Sequence, residues 1–230
     1  MLPESHSAST IVYEYGGLPY TVIPDNSPRI IFSDSKSRSV KVLEPDTGKV
    51  EDLLSRSDTL RYADFDANPL MPSGEEKHQW VLAVEEDHIN PTPSEVRNYV
   101  VAINLATKEV KRVVEGADFY SYPRFSPDGT RISWLEWDHP DLPFMGVKLF
   151  WADWQTEGNV TNNKSLAAGT NGQSVAEPHW SPDNRLYFTQ ERDEFRQIFS
   201  RATTEPEATP LILRGLEDAE FGDASWVIGW

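Results

Sequence analysis

The stretch Tyr122–His139, YPRFSPDGTRISWLEWDH, returns in degenerate form at Glu177–Asp193 as EPHWSPDNRLYFTQERD, with Pro123 and Pro178 standing 55 residues apart. Each copy carries a turn signal between short apolar runs. In the first, Pro127 presets φ, Asp128 can bond back to the chain, and Gly129 tolerates the left-handed conformation of a tight turn. Asn184, which tolerates that conformation next best, replaces the glycine in the second copy. Strands are expected around the turns, YPRF before and RISWLEW after the first, with RLYFTQ following the second in the same way. In RISWLEW both alternating sets are partly apolar, Ile132 and Trp134 on one side, Leu135 and Trp137 on the other, as suits a sheet covered on both faces. A repeat of 40 to 60 residues built from such strands is the signature of a stacked or radially repeated all-β protein.

Outward from this stretch, KLFWADW and a looser partner near Ser165–Ala168 complete the unit. Backward lies a second unit, with LRYADF, WVLAVEEDH and the hairpin NYVVAINLATKEVKRVV, in which Tyr62 precedes Tyr122 by 60 residues. A first unit uses VYEYGGLPYTVI, RIIFSDS, SVKVLEPDTG and KVEDLL. After the fourth, AEFGDASWVIGW reads as the opening strand of a fifth. The expected fold is therefore all-β: a partial β-propeller of about four four-stranded antiparallel blades plus the first strand of another. Approximate boundaries are 11–58, 59–117, 118–174 and 175–217, with the next unit starting at 218–230. An irregular sandwich or an open solenoid is the alternative, and no helix longer than a turn or two is expected.

Composition narrows the function. The 230 residues include eight Trp and carry a formal net charge of -16. Such a balance repels phosphate backbones and anionic membranes, so neither nucleic acid nor a membrane is expected as a partner. The Trp side chains, for example Trp134, Trp151 and Trp180, are read as packing between blades rather than a platform for bases. With no cysteine, disulfides, thiolate metal sites and thiol nucleophiles are excluded. The first ten residues do not read as a secretion signal, which makes the cytoplasm the expected compartment. The triplets at Asn159–Thr161 and Asn163–Ser165 are read as loop composition rather than glycosylation sites.

The ordered combination ADFYSYPRFSPDG, SWLEWDHP and EPHWSPD, together with VYEYGG, LRYADF and EFGDASWVIG, resembles the amino-terminal propeller of the prolyl oligopeptidase superfamily. The similarity is to its acylaminoacyl-peptidase-like and dipeptidyl-peptidase-like branch of serine peptidases, over about Tyr13–Trp230. It implies a propeller that restricts an active site to short peptides, next to an α/β-hydrolase domain bearing the serine elbow. That domain is absent from these residues, so the propeller looks incomplete, and no peptide hydrolysis is expected of the chain by itself. Implied partners are a peptide substrate or a hydrolase domain. The alternative function is a standalone propeller serving as an interaction scaffold.

Candidate sites were weighed against structural roles. Gly172-Gln-Ser174-Val-Ala176 lacks the preceding apolar strand and following helix of a nucleophile elbow and is rejected. Asp87-His88 and Asp138-His139 follow the second strands of their units; a carboxylate beside an imidazole could orient it for acid–base work, although turn capping is the plainer role. Glu85 and Glu86 could together satisfy an ammonium group, as paired glutamates do in dipeptidyl peptidases, but a solvated strand edge is the plainer role here too. These six residues are the candidates for loops facing substrate or a partner domain. Glu75-Glu76 is weaker. His6, His78 and His179 are scattered without ligand spacing, and Gly16-Gly17 has no following helix or Lys, so no metal, nucleotide or other cofactor is expected.

Overall fold

The computed structural model describes residues 2–24, 28–161, 164–169, 173–192, 195–217 and 219–222. Four antiparallel sheets follow one another along the chain. The first contains β1 (Tyr20–Ile23), β2 (Arg29–Asp34), β3 (Ser39–Glu44) and β4 (Lys49–Leu54) in that order. The second contains β5 (Leu60–Ala67), β6 (Trp80–Asp87), β7 (Arg97–Asn104) and β8 (Val110–Val114). The third is built on β9 (Phe119–Phe125), β10 (Arg131–Trp137) and β11 (Lys148–Gln155), with β12 (Asn159–Val160) and β13 (Ser165–Ala168) both pairing with β11. The fourth contains β14 (Val175–Trp180), β15 (Arg185–Arg192), β16 (Phe195–Ala202) and β17 (Thr209–Pro210). The first strands β1, β5, β9 and β14 contact one another in sequence, so they line a common axis. This is the all-β, propeller-type architecture.

Strand alternation explains how the sheets stack. Along β6, Trp80, Leu82 and Val84 belong to the core shared with the third sheet, while Val81 and Ala83 belong to the core shared with the first. Both alternating sets of β10 are buried as well: Ile132, Trp134, Leu135 and Trp137 are all at most 4% exposed. A sheet covered on both sides reads as a near-continuous apolar run, and a polar side chain inside it, such as Ser133, is buried with a hydrogen-bond partner. Trp side chains join neighbouring sheets: Trp80 meets Trp154 edge-on at 6.2 Å, and Trp180 Nε1 donates to Ser133 Oγ at 2.9 Å.

The repeat is most regular in the turns. Gly129 has φ of 65° and Asn184 of 60°, and in each turn the serine hydroxyl donates to the aspartate two residues on, Ser126 to Asp128 at 2.7 Å and Ser181 to Asp183 at 2.6 Å. The two turns also touch each other, Asn184 Nδ2 donating to Asp128 Oδ2 at 2.9 Å.

Two expectations need correction. VYEY is not strand: Val12–Glu14 forms a single 3-10 turn, with Tyr13 at φ of 56° and Glu14 at 64°, and β1 starts only at Tyr20. Two successive left-handed residues reverse the chain where an extended strand would run on. In the third sheet the outer position is shared by two short pieces, giving five strands instead of four. Most of the stretch expected to begin a fifth unit, residues 223–230, lies outside the described residues.

The repeat register also differs. Each of β5, β9 and β14 carries a bulge whose left-handed residue is Asp64, Tyr122 and Glu177 respectively. The structural equivalent of Tyr122 is thus Asp64, and that of Tyr62 is Tyr120. At the bulges, acids of one sheet complete the main chain of the next. Tyr122 N donates to Asp64 Oδ2 at 2.6 Å and Phe125 N to Asp66 Oδ2 at 2.7 Å. Arg124 compensates them, its Nη2 lying 2.7 Å from Asp64 Oδ1. Burial still outweighs Arg124 at Asp66 and pushes its carboxyl up to about 6.

Candidate functional site

The loops at one end of the second and third sheets are long. His88–Val96 joins β6 to β7, and Asp138–Val147 joins β10 to β11. Together with the turn at Tyr13 they enclose a cleft of about 990 Å³. Four prolines, Pro91, Pro93, Pro140 and Pro143, stiffen its rim by fixing φ.

One wall is aromatic. Phe119 and Trp137, paired across β9 and β10, stack at 5.4 Å with their planes 15° apart, and Tyr13 meets both edge-on. The Tyr13 hydroxyl donates to Tyr120 O at 2.9 Å and accepts from Tyr120 N at 3.0 Å. Burial raises its ionisation well above the usual phenol range, so it acts as a neutral hydrogen-bonding group.

The other wall is charged. Glu86 is nearly buried; its Oε1 accepts from Tyr13 N at 3.0 Å, and its Oε2 lies 3.1 Å from Arg61 Nη1 and 2.8 Å from His88 Nε2. The His88 contact has ion-pair distance without hydrogen-bond alignment, leaving Nε2 without a bonded partner. Arg61 also reaches Glu14 at 2.7 Å and holds that carboxyl below its ordinary range. Directly across from Glu86 in the strand pairing is Asn98. Its Nδ2 donates to Asp118 O at 2.7 Å, while its Oδ1 is buried without a partner. Asp118 takes hydrogen bonds from the backbone and ring nitrogens of His139, both at 3.0 Å, and these lower its carboxyl pKa.

The six candidates divide. Glu86, His88 and His139 line the cleft. Glu85 and Asp87 do not, because alternation along β6 turns them to the opposite face, where Arg112 binds Glu85 Oε1 at 2.8 Å and Asp87 Oδ2 at 2.7 Å. Tyr62 donates to Glu85 at 2.7 Å on that side. Glu85 and Glu86 therefore form no common clamp, and each has its own cation. Asp87 caps a turn, accepting from Ile89 N at 2.9 Å, whereas Asp138 ties its loop to the residue before β9, accepting from Asp118 N at the same distance.

Outside the cleft, Glu75 pairs with Lys77, and His6 binds the buried Asp34. Ser174 is buried just before β14; Gly172 lies outside the described residues. Among the described residues no three His, Asp or Glu side chains gather to hold a metal ion, and no helix is long and apolar enough to cross a membrane.

Sequence reasoning missed Tyr13, Arg61, Asn98 and Asp118. Tyr13 sits in a stretch that reads as strand, the others show no motif, and Asn98 comes to the site only through its pairing opposite Glu86.

Puromycin hydrolase has a solved structure that superimposes on 99% of this chain with a TM-score of 0.85 and 26% identity. The likeness is to prolyl oligopeptidase-type peptidases. A puromycin-hydrolysing peptidase of Mycobacterium tuberculosis matches equally broadly, with a TM-score of 0.83 and 25% identity. In both cases the chain spans only 35% of the other protein's length. TolB from Acinetobacter baumannii, at 12% identity and a TM-score of 0.53 over 83% of the chain, shares the fold alone. No protein-family model and no curated protein sequence matches the chain.

Proposed function

We propose that this chain works as the propeller portion of a serine peptidase of the prolyl oligopeptidase type, in the cytoplasm. Its role is to restrict a hydrolase active site to short peptides. The observation that carries this reading is the match, along 99% of the chain, to about a third of the puromycin-hydrolysing enzymes. In this reading the axis lined by β1, β5, β9 and β14 would be the route by which a short peptide reaches the hydrolase domain. The residues that would attack a peptide bond belong to that domain; Ser174 of this chain is buried, and its hydroxyl has no hydrogen-bond partner among the described residues.

The test is a chimera in which residues 1–230 replace the matching portion of the puromycin-hydrolysing peptidase. Turnover of aminoacyl chromogenic substrates with exclusion of unfolded casein is expected. Equal turnover of casein and short substrates would refute gating, and turnover by the isolated chain would refute the division of labour. An interaction scaffold is the second reading. It is favoured by the exposure of Ile11, Tyr15, Ile89, Leu142 and Met145, half of the ten exposed large apolar side chains among the described residues, in the loops around the cleft. Such a concentration is characteristic of surfaces that bind partners.

A further inference from the structure

We infer that the cleft between the second and third sheets binds a cationic side chain, lysine or arginine, of an extended peptide flanked by apolar residues. This is independent of whether the chain acts with a hydrolase, because it concerns binding and not turnover.

Four carboxylates, Glu14, Glu86, Asp118 and Asp141, line the cleft against two guanidinium groups, Arg61 and Arg97. Arg61 is committed to Glu14 and Glu86. Asp118 and Asp141 have no Lys or Arg ion-pair partner among the described residues; the Asp118 carboxylate takes its hydrogen bonds from His139, and Arg97 acts on it through space. The adjoining loops add Glu95 and Asp138 without a further cation. Acids gathered in a cleft with apolar walls focus their potential into it and favour cationic ligands.

A second observation points the same way. Asn98 is 5% exposed, lies on the same face as Glu86, and lines the cleft, yet its Oδ1 has no donor. The bond from Nδ2 to Asp118 O decides which amide atom is the oxygen. A buried acceptor left open in the lining of an acidic cleft takes an N–H or O–H donor, and ammonium and guanidinium groups supply donors together with positive charge. The Phe119–Trp137 wall offers a π surface to the same cation. The five exposed apolar side chains of the surrounding loops receive the neighbouring residues of the peptide. Prolines in both long loops hold the rim in place before binding, which lowers the entropy lost on association.

The probes are three capped tripeptides, acetyl-Leu-Arg-Leu-amide and its analogues with Glu or Leu at the centre, titrated into the 230-residue protein by calorimetry and by NMR of the Trp indole resonances. The Arg peptide is expected to bind about tenfold or more tightly than the Glu peptide, to shift the Trp137 indole resonance, and to weaken at high salt. In the double variant Asp118→Asn, Asp141→Asn, affinity for the Arg peptide should fall by about 3- to 10-fold, with little change for the Leu peptide. Asparagine can still accept the His139 hydrogen bonds, and the thermal transition verifies that the variant is folded. Equal binding of the Arg and Glu peptides overturns the inference. So does an Arg preference that the double variant leaves intact, or no Arg-peptide binding at about 10 mM.

Discussion

The two ends of the second and third sheets are built by opposite rules. At the turn end, every connection is packed against its neighbour. Trp80 Nε1 donates to Thr156 O at 3.1 Å, Lys111 Nζ lies 5.3 Å from the Trp80 ring and bonds Glu157 O at 2.6 Å, and the SPDG and SPDN turns are hydrogen-bonded to each other. At the loop end, His88–Val96 and Asp138–Val147 carry two prolines each and expose Ile89, Leu142 and Met145, whereas the longer Asn68–Gln79 connection at the turn end buries Met71. The comparison teaches that stability is concentrated at one end of the blades and surface available for recognition at the other. A scaffold of rigid strands allows its loops to diverge from packing constraints.

The largest effect is expected at the turn end. Gly158 has φ of 80°, and a Cβ there would overlap the Trp80 ring, which is held on all sides. Gly158→Ala should therefore lower unfolding free energy by about 2–4 kcal/mol, combining backbone strain and overpacking. Urea denaturation measures it, and a loss under about 1 kcal/mol would break the contrast between the ends.

Next comes a structural pin at the loop end. Tyr13→Phe keeps the ring against Phe119 and Trp137 but removes the hydroxyl that satisfies both Tyr120 backbone groups. A loss of about 1–2 kcal/mol is expected, together with faster hydrogen exchange at the Tyr120 amide. Unchanged exchange would mean that the Tyr13 hydroxyl is not what protects that amide.

Asp66 gives a pH-dependent test on the axis. Its folded pKa, raised from 3.8 to about 6, means that the folded protein binds more protons than the unfolded chain between these values. Stability from this group is therefore full below about pH 4 and declines as pH rises to 6. Asp66→Asn, whose amide oxygen can still accept from Phe125 N, should match the wild type at pH 4 and exceed it at pH 7. The gain should be about 1–2 kcal/mol, discounted because the side chain is only half-buried. Parallel pH–stability curves for the two proteins would show that Asp66 is not the titrating group.

The smallest effect sharpens the comparison from the loop end. Leu142→Ser combined with Met145→Ser should change stability by no more than about 0.5 kcal/mol per site, since both side chains are exposed. A larger loss in a thermal melt would show that these loops are packed and not presented.

Much of the fold was legible because the determinants were local. SPDG and SPDN announce turns by backbone chemistry alone, and the doubled apolar sets of RISWLEW announce a sheet covered on both faces. The places that failed depend on non-local contacts. Nothing local in VYEY favours two left-handed residues; they are held by Tyr120, Glu86 and Arg61, which are distant in sequence. The bulges moved the repeat register by two residues at Asp64 because the pairing slip is visible only once the partner strand is known. The cleft was half visible. The two Asp-His pairs correctly marked a loop position shared by two blades, but alternation along β6 separates Glu85 from Glu86, and a strand pairing was needed to find Asn98.

The acids at the bulges have a consequence for the backbone along the axis. Three amide groups on the inner margin of β9, at residues 120, 122 and 125, already belong to Tyr13, Asp64 and Asp66. Those three positions are closed to any further strand, so a margin of backbone that would otherwise invite another polypeptide to add itself to the sheet is capped from within.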